Sequence, residues 1–433
     1  MSTRGLKLTE GKTKIIYGHG GERGFVEVFS KDDITAGDGE KHDVIEGKGA
    51  LSNRMASNVF RLLKQGPRIP VAFERQLTEE SFIARHCAML PLEVVVRRRA
   101  FGSYVKRNPH VPEGMIFPRL ILEFFLKTTG KQYEGMTLPK DDPFIRFSTD
   151  GVMNLYQPDK PVGTAWGTGE LSLPESLEFG MVGKIQELAP YIFLVLERAF
   201  RLAADLELVD FKLEFGVSQG RNLYLADVVT IDEMRLLQDG RHESKEAYRK
   251  GGRLDMVRQI YERVAVATDR FAIFPPRQHI IVWCGSDKDN PSAFGEALKG
   301  FGLSAQVTLH YHVRSMHKEP MRGCRELTEM VQHMADPVVI AFVGRSNGAG
   351  PTLAGNTHVP VITVPAGWEK FPEDIWSSLR APSDVPVLTC LTPENAVLAA
   401  ANILGARNPF AYAELRTRLE RRLPNMFDML EIQ

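Results

Sequence analysis

Two apolar runs decide the fold of the C-terminal third of the chain: PVVIAFVG at residues 337–344 and VPVITVP at residues 359–365. Both are short, rich in β-branched residues and free of alternating polar positions, which indicates strands buried on both faces. HIIVWCG at 279–285 and QVTLHYHV at 306–313 are further predicted strands, and PMRGCRELTEMVQHM at 320–334 has helical spacing. Because strands and helices alternate, we expect an α/β doubly wound domain with a flavodoxin-like parallel sheet.

The residues before this region have a different character, because strand-like runs mix with helical stretches, which predicts an α+β domain. The clearest examples are KIIYG (14–18), PLEVVVRRR (91–99), LYLADVV (223–229) and the helical SNRMASNVFRLLKQ (52–65). Pro275 and Pro276 follow a helical stretch at 254–271, and two consecutive prolines cannot continue a helix. We therefore place the boundary at residues 272–277, which gives domains of residues 1–272 and 277–433.

The composition is that of a soluble globular protein, with 43% hydrophobic and 25% charged residues. The 54 basic and 54 acidic residues cancel, so no global charge favours nucleic acid or an anionic membrane. The four cysteines have no paired spacing, which fits reduced thiols better than disulfides or a zinc site. Since no apolar stretch suggests a signal peptide or a spanning helix, we expect a cytoplasmic protein.

A glycine turn near the N-terminus carries Lys12 and Lys14 directly after Gly11. It is not a P-loop, because Leu6 stands where the first glycine would be and the chain continues as a strand rather than a helix. Such a turn can still fold over a triphosphate, since glycine allows close approach and the lysines supply charge. The alternative is a solvated basic turn.

Five cations lie within eleven residues in Arg97, Arg98, Arg99, Lys106 and Arg107. Alternate residues of a strand face the same way, so Arg97 and Arg99 would share a face and hold carboxylate or phosphate. The alternative is an edge strand that is protected from aggregation by its charge.

A predicted hairpin puts Asp210, Lys212 and Glu214 on one strand face and brings Asp227 from the partner strand. Two carboxylates on adjacent strands suit Mg²⁺, which binds one or two protein oxygens together with substrate phosphates. An exposed polar hairpin face is the alternative.

Six motifs in this order resemble the phosphoribosylaminoimidazole-succinocarboxamide (SAICAR) synthetases, which join aspartate to carboxyaminoimidazole ribotide (CAIR): GKTKIIY, SKDDITAGDG, EGKGALSN, RRRAFGSYVKRNP, LVDFKLEFG and LADVVTIDEMR. The resemblance implies an ATP- and Mg²⁺-dependent ligase that forms an acyl phosphate, from which the aspartate amine displaces phosphate. It also implies residue roles, in which Lys212 is catalytic, Lys12 and Lys14 bind ATP, Glu214 and Asp227 hold Mg²⁺, and CAIR contacts Arg97, Ser103, Asp232 and Arg235.

Three segments follow the predicted parallel strands, so they should meet at one end of the sheet. Ser286 and Asp289 lie in a turn that opens a helix and offers N–H groups to a phosphate. His317 follows the second strand and is either an acid/base or a surface histidine. Three glycines at 344–350 follow the third strand, which predicts backbone conformations forbidden to other residues.

This pattern resembles the animal-type aminoimidazole ribotide (AIR) carboxylases, through GRSNG (344–348), AGNT (354–357) and WSSLR (376–380). The resemblance implies direct carboxylation by CO₂ without ATP or another cofactor, with His317 as the acid/base. It also implies AIR contacts at Ser286, Asp289, Lys318, Arg345, Ser346, Asn347 and Gly348. Two residues depart from the family pattern: Met316 replaces a small alanine and Lys288 replaces a serine.

The main hypothesis is a bifunctional purine-biosynthesis enzyme that acts on small molecules and converts AIR through CAIR to SAICAR. One alternative keeps the ligase and makes the second domain a catalytically inactive assembly module. Another is a non-enzymatic nucleotide-binding regulator. Relatives of the second domain form octamers, so we expect a homo-octamer.

Overall fold

The computed structural model describes residues 4–21, 23–36, 40–128, 132–133, 136–137, 142–149, 151–161, 163–173, 177–274 and 277–423. The chain forms two compact units, Met1–Ile273 with Leu419–Gln433, and Phe274–Arg418. Pro275 and Pro276, on which the predicted boundary rests, lie outside the described residues. The return of the chain to the first unit at Leu419 has no counterpart in the predicted domains.

The first unit mixes antiparallel sheets with helices, which confirms the predicted α+β class. Its strands are β1 (Arg4–Glu10), β2 (Lys14–His19), β3 (Phe25–Ser30), β4 (Asp33–Ala36), β5 (Lys41–Val44), β6 (Phe73–Gln76), β7 (Ser81–Arg85), β8 (Ala88–Met89), β9 (Leu92–Arg99), β10 (Ile116–Leu126), β11 (Gln132–Tyr133), β12 (Met136–Thr137), β13 (Phe144–Phe147), β14 (Met153–Tyr156), β15 (Ala165–Leu171), β16 (Glu207–Val217), β17 (Leu223–Ala226), β18 (Met234–Gln238) and β19 (Arg241–His242). Its helices are α1 (Lys48–Leu63), α2 (Ser103–Arg107), α3 (Phe179–Ala204), α4 (Glu246–Arg249) and α5 (Leu254–Asp269), followed by a 3₁₀ turn at Arg270–Ile273.

Two sheets of this unit carry the lysines and carboxylates of the predicted ligase. A five-stranded sheet has the order β1-β2-β3-β7-β6, and a larger sheet runs β15-β14-β13-β10-β9-β16-β18-β19, with β17 and β8 paired to β16. The predicted hairpin is present, because Glu214 of β16 pairs with Ala226 of β17, directly before Asp227. Strand β9 lies between β10 and β16, so the prediction of a charged edge strand for the arginine run is wrong.

Helix α3 is the one helix among the described residues that is long and apolar enough to cross a membrane, whereas the sequence reasoning predicted no spanning helix. More than half of its most apolar 18-residue window, 56%, is buried inside the protein. Side chains such as Ile192, Phe193 and Leu196 are fully buried, and the helix packs on β9, β10 and β16. Its burial indicates the core helix of a folded unit.

The residues after Leu419 contribute to the first unit through one carboxylate. Glu420 accepts a hydrogen bond from Arg98 Nη2 at 2.7 Å and another from the backbone N–H of Leu120 at 2.8 Å. Arg98 also pairs with Glu197 of α3 through its Nε atom at 2.7 Å. The buried Arg98 guanidinium is therefore neutralised by carboxylates from two distant parts of the sequence.

The second unit is the predicted doubly wound domain. Its elements are β20 (Gln278–Cys284), α6 (Ser292–Gly300), β21 (Val307–Val313), α7 (Pro320–Val331), β22 (Val338–Val343), α8 (Ala349–Ala354), β23 (Val361–Pro365), a 3₁₀ turn (Pro372–Ile375), α9 (Trp376–Leu379), β24 (Leu388–Thr389), α10 (Pro393–Gly405) and α11 (Pro409–Glu420). All neighbouring strands are parallel, in the order β21-β20-β22-β23-β24. This is the 2-1-3-4-5 order of flavodoxin-like sheets.

Helices cover both faces of this sheet, as a doubly wound fold requires. Phe294 of α6 and Val397 of α10 pack with Ile280 on one face. Leu327 of α7 and Leu353 of α8 pack with residues such as Trp283 on the other. The loops at the carboxyl ends of β20, β21 and β22 are left to form a site.

Candidate active sites

A cleft of about 1440 Å³ opens in the first unit between the two sheets. One part of its wall is apolar and includes Val28, Phe82 and Leu225, which suits a flat heterocycle. The remainder is strongly charged, and the lining residues there are Lys12, Lys14, Glu93, Arg97, Lys106, Lys127, Lys212, Glu214, Asp227, Asp232, Glu233, Lys245 and Arg249. An apolar pocket beside a dense set of cations fits a ligand with a base and phosphates.

Three lysine–carboxylate pairs form the centre of the charged part. Lys14 pairs with Asp227, Lys127 Nζ lies 2.6 Å from Glu214 Oε2, and Lys212 Nζ lies 2.7 Å from Glu93 Oε1. Lys212 Nζ is also 3.6 Å from Glu214 Oε1, so Glu214 stands between two cations.

The electrostatic balance at this centre keeps Glu214 ionised. Burial opposes the charge of Glu214, but Lys127, Lys212 and Lys14 outweigh it and lower the pKa of its carboxyl. Burial likewise favours the neutral form of Lys14 and lowers its pKa, in spite of the attraction of Glu233 and Glu214. The pKa of Lys212 is raised, because Glu93 and Glu214 outweigh its desolvation.

A second cluster surrounds Asp232 at another part of the cleft. Lys48 Nζ, at the start of α1, lies 2.9 Å from Asp232 Oδ2, and Lys245 Nζ lies 3.4 Å from Oδ1. The Tyr261 hydroxyl donates a hydrogen bond of 2.6 Å to the same Oδ1 atom. Burial alone would raise the pKa of Asp232, but the two lysines and Tyr261 hold it well below its usual range.

Glu233 follows Asp232 and behaves in the opposite way. Its Oε2 atom accepts hydrogen bonds from the backbone N–H and the hydroxyl of Thr230, at 3.1 and 2.7 Å. Burial and then the neighbouring charge of Asp232 raise its pKa. The pKa values of two adjacent carboxyls are thus shifted in opposite directions, because Lys48, Lys245 and Tyr261 outweigh burial at Asp232, whereas Lys14 and Lys212 do not outweigh it at Glu233.

The arginine run of β9 is mostly occupied by carboxylates of the fold itself. Arg97 is buried, with Nε 2.7 Å from Glu123 Oε2, Nη1 2.7 Å from Asp210 Oδ2 and Nη2 3.3 Å from Ser103 Oγ. Arg107 pairs with the other oxygen of Glu123. Arg97 and Ser103 line the cleft, so a substrate would meet Arg97 as part of a preassembled network.

Arg235 joins the same network from β18. Its Nη1 atom lies 2.7 Å from Asp210 Oδ2, the oxygen that Arg97 also contacts. A Cβ atom on Gly102, which has φ +60°, would stand 2.8 Å from Arg235 Nη2. Glycine at this position therefore allows both the left-handed backbone and the close approach of the guanidinium.

The predicted magnesium ligands, Glu214 and Asp227, come from paired strands as expected. No group of three or more His, Cys, Asp or Glu side chains that could hold a metal is found among the described residues. Two carboxylates that face lysines fit Mg²⁺ bound together with phosphate oxygens rather than an all-protein metal cage.

The sequence reasoning missed two sets of residues: Glu93, Lys127, Glu233 and Lys245, which line the cleft, and Lys48 and Tyr261, which contact Asp232. They are single charged or aromatic residues in different segments, and only the tertiary fold brings them together. The fixed spacing of Lys48 within EGKGALSN was a signal that could have identified one of them.

In the second unit, Asp289 organises the turn after β20. Its Oδ2 atom accepts hydrogen bonds from the backbone N–H groups of Gly285 and Ser286, both at 2.9 Å. Its Oδ1 atom lies 3.4 Å from where a Cβ of Gly344 would stand, which connects this turn with the loop after β22. Ser286 is exposed and its hydroxyl accepts from the N–H of Lys288 at 3.3 Å.

His317 lies at the same end of the sheet and touches the loop after β22. Its Nε2 atom is 3.0 Å from the position that a Cβ of Gly348 would take. Ser286, Asp289, His317 and the GRSNG loop therefore converge, as the parallel topology predicts. Lys318, which follows His317, and Arg345, which lies in the GRSNG loop, are both exposed. The Arg345 guanidinium lies 4.6 Å from the centre of the Phe371 ring.

Met316 does not narrow this site. Its side chain is 4% exposed and belongs to the core cluster that contains Trp283 and Leu327. It occupies the space beside Gly323 of α7, where a Cβ would collide with the Met316 sulfur. The bulk of Met316, which stands where the family has a small alanine, is therefore directed into the core rather than into the pocket.

The glycines of the third loop act differently from the prediction. Gly344, Gly348 and Gly350 have no left-handed backbone, and the loop residue with positive φ is Ser346, at 57°. Gly348 is needed because His317 lies against it, and Gly350 because a Cβ there would collide with Thr363 of β23. Asn347 is buried and its Nδ2 donates to the Ala341 carbonyl at 3.3 Å, so its amide supports the loop from inside.

Comparison with protein-family models gives two matches that follow the two units. SAICAR synthetase matches residues 7–140 and 171–271, and AIR carboxylase matches residues 279–424. The Caenorhabditis elegans probable multifunctional protein ADE2 is 34% identical over 95% of this chain and 92% of its own length. The chain belongs to the bifunctional AIR carboxylase/SAICAR synthetase family.

One further relative agrees with this membership, and one solved structure is similar to the first unit. The human bifunctional phosphoribosylaminoimidazole carboxylase/phosphoribosylaminoimidazole succinocarboxamide synthetase is 33% identical over 96% of this chain and 93% of its own length. A crystal structure of phosphoribosylaminoimidazole-succinocarboxamide synthase from Ehrlichia chaffeensis is 26% identical, with a TM-score of 0.49, over 61% of this chain and 98% of that one. The chain is thus a bifunctional enzyme with a synthetase unit and a carboxylase unit, and the alternatives of a regulator or an inactive second domain are not favoured.

Proposed function

We propose that the synthetase unit uses ATP and Mg²⁺ to ligate CAIR with L-aspartate, and that the carboxylase unit forms CAIR from AIR and CO₂ without ATP. The observation that carries the first part is the cleft, in which an apolar wall adjoins the Lys14–Asp227 and Lys127–Glu214 pairs. Mutually repelling anions need such a set of cations to come together.

In the ligation, Lys12 and Lys14 bind the ATP phosphates, and Lys212 stabilises the charge that develops as the CAIR carboxylate attacks the γ-phosphorus and ADP leaves. The acyl phosphate then reacts with the aspartate amine, phosphate leaves, and an amide forms. Arg97, Ser103, Asp232 and Arg235 orient CAIR. Arg97 and Arg235 are held by the same Asp210 oxygen, and Asp232 is held by the cations around it. These side chains are therefore fixed before the substrate binds.

Glu214 and Asp227 hold Mg²⁺ in this proposal, and the ion would neutralise phosphate charge when bound. The lowered pKa of Glu214 supports the assignment, because a carboxylate that is ionised throughout the neutral range can bind a cation. Each lysine paired with these carboxylates can turn to a phosphate oxygen once the metal takes its place.

In the carboxylation, the enamine carbon of AIR attacks CO₂ and forms the new carbon–carbon bond. His317 removes the proton from that carbon, which restores the aromatic ring. Ser286, Asp289, Lys318 and the GRSNG loop residues Arg345, Ser346, Asn347 and Gly348 hold the ribotide. The contact of His317 with Gly348 supports this arrangement.

Two variants of the full-length enzyme test whether each unit catalyses the reaction that is proposed for it. Glu214→Ala should abolish ADP formation from ATP, Mg²⁺, aspartate and CAIR, with AIR carboxylation retained. His317→Asn should do the reverse. If the wild-type enzyme forms no ADP under these conditions, or carboxylates no AIR at high bicarbonate, the corresponding half of the proposal is wrong.

We also propose a cytoplasmic homo-oligomer, an octamer by the resemblance of its second domain. Large apolar side chains of the carboxylase unit are exposed, among them Tyr311, Met321, Trp376 and Leu379, which suits burial against other copies. The free thiols of the four cysteines fit a reducing compartment. A light-scattering mass equal to one chain would contradict the assembly.

A further inference from the structure

The one carboxylate of the loop that carries His317, Glu319, pairs with Arg314 and Arg322 rather than with the imidazole. Among the residues that the structure describes, no side-chain hydrogen bond from His317 is formed, and its Nε2 atom lies 3.0 Å from the position that a Cβ of Gly348 would take. A base that acts on a bound substrate needs a fixed position, which another group must then provide. The surrounding loop, from Arg314 to Pro320, is where this support is found.

Arg314 begins the loop and is anchored through its backbone. Its N–H donates to the Cys284 carbonyl at 2.9 Å, and its own carbonyl accepts from Trp283 Nε1 at 3.0 Å. Trp283 is fully buried, so this end of the loop is attached to the sheet core. Neither contact, however, restrains the far end of the loop beyond His317.

The Arg314 side chain spans the loop. Its Nη1 atom lies 2.8 Å from Glu319 Oε2, two residues after His317. Its Nε and Nη2 atoms lie 3.0 Å from the two carboxylate oxygens of Glu326 on α7, a two-point contact whose geometry only a guanidinium provides. One side chain thus connects the start of the loop, its end and the adjacent helix.

We propose that Arg314 is a positioning residue for carboxylation, because it fixes the loop that presents His317. The Met316 side chain adds a second anchor in the middle of the loop, beside Gly323. The inference rests on the proposed role of His317 as the group that removes the proton. Arg314 itself touches neither substrate nor the reacting carbon.

Arg322 provides a matched control. It contacts the same two carboxylates, with Nη1 3.2 Å from Glu319 Oε1 and Nε 3.0 Å from Glu326 Oε1. It lies on α7 itself and is half-exposed, so its contacts are local to the helix and its first turn and do not span the loop. Loss of Arg322 removes one ion-pair partner of each glutamate and leaves the loop attached.

The test uses Arg314→Gln and Arg322→Gln in the full-length enzyme, with carboxylation and ligation assayed on the same preparation. For Arg314→Gln we expect kcat for carboxylation to fall roughly ten- to hundredfold, as displacement of a reacting group does. The KM for AIR should change less than kcat, because only Lys318 of the proposed AIR contacts lies on this loop, whereas Ser286, Asp289 and the GRSNG residues lie on others. Ligation should be unchanged, and Arg322→Gln should carboxylate as the wild type does.

Further variants keep the test decisive if Arg314→Gln folds poorly. Glu319→Gln removes the charge that pairs with Arg314 across the loop and with Arg322, whose separate loss is the control. It should lower the same kcat, and Arg314→Gln/Glu319→Gln should lose less than the sum of the single variants. Arg314→Lys keeps the positive charge but cannot contact both oxygens of Glu326 at once, so it should retain only part of the wild-type kcat for carboxylation. Three results would overturn the proposal. They are a wild-type kcat in both Glu319→Gln and Arg314→Lys, a loss of kcat in Arg322→Gln equal to that in Arg314→Gln, and a change that is confined to the KM for AIR. If His317→Asn itself still carboxylates AIR, the proposed role of His317 fails, whatever the Arg314 variants do.

Discussion

The Tyr261 hydroxyl of α5 donates a 2.6 Å hydrogen bond to Asp232, which connects the last helix of the synthetase unit to the cleft. Lys48 approaches the other oxygen of the same carboxylate from α1. Asp232 is therefore fixed by residues that lie more than 180 positions before it and 29 positions after it.

We expect Tyr261→Phe to lower the free energy of unfolding of the synthetase unit by about 2 kcal/mol, since a buried charged acceptor loses its donor. The pKa of Asp232 is depressed in the fold, so its contribution is fully present above its ordinary pKa of 3.8 and is lost as the pH falls below it. The variant and the wild type should thus differ by a constant amount near neutral pH and converge in acid. Urea unfolding at a series of pH values measures this.

Tyr248→Phe is the control for that experiment. Tyr248 is as buried as Tyr261, but its hydroxyl donates to Asp43 at 2.7 Å rather than to Asp232. It should leave the pKa of Asp232 and the KM for CAIR unchanged. Tyr261→Phe, by contrast, should raise that KM, because Asp232 is proposed to orient CAIR. An equal effect of both tyrosines would mean that the hydrogen bond to Asp232 has no particular role.

Glu123→Gln should be among the most destabilising single changes in the synthetase unit. It removes the charge that neutralises both Arg97 and Arg107, which are buried, and breaking such a network costs about 3–5 kcal/mol. Glu207→Gln, which affects the more exposed Arg99 pair, should cost at most about 1 kcal/mol. Equal losses in thermal or urea unfolding would contradict the assignment of Glu123 as a buried counter-charge.

Gly323→Ala should destabilise the carboxylase unit by about 1–3 kcal/mol, because its Cβ would collide with the Met316 sulfur. Met316→Ala alone leaves a cavity and also destabilises. In Met316→Ala/Gly323→Ala the new methyl group enters that cavity, so the double variant should be more stable than the sum of the two predicts. Urea unfolding followed by tryptophan fluorescence, to which the buried Trp283 contributes, measures all three, and strict additivity would show that the side chains do not share this space.

Cys87 should react slowly with iodoacetamide at neutral pH, because burial raises the pKa of its thiol to about 11 and leaves little thiolate. It lines the cleft, so bound ATP should slow the reaction further. Cys324, on α7 of the carboxylase unit, is the internal control that ATP should not affect. Labelling followed by peptide mass spectrometry distinguishes the two, and identical protection of both would argue against nucleotide in this cleft.

The sequence predicted the architecture of both units because their patterns are local. Apolar runs such as 337–344 and 359–365 gave strands at the right places, and chain order sufficed to bring His317 to the end of the sheet that holds Asp289. The same reasoning failed for the glycines at 344–350. A glycine can be required because a side chain would collide with a neighbour such as Thr363, or because its own backbone has a positive φ, and the sequence does not distinguish the two cases.

Charge pairing could not be predicted in the same way. The dense arginine run of β9 suggested an anion site, but Glu123, Glu207 and Glu197 neutralise most of it inside the fold. Lys48 and Lys127, which line or support the cleft, lie singly in sequence and gave no cluster. Carboxylates that are distant in sequence determine which cations remain available to a substrate. A short stretch of sequence contains no information about these partners.

The contacts of Glu420 have a practical consequence for anyone who wishes to express the ligase alone. A polypeptide that stopped at Ile273 would retain every residue of the cleft, yet Arg98 would lose one of its two carboxylates and the Leu120 amide its acceptor. The synthetase unit therefore includes residues from the C-terminal end of the sequence. If the two activities were expressed as separate polypeptides, the segment that carries Glu420 would have to be added to the ligase, as a fusion or as a peptide.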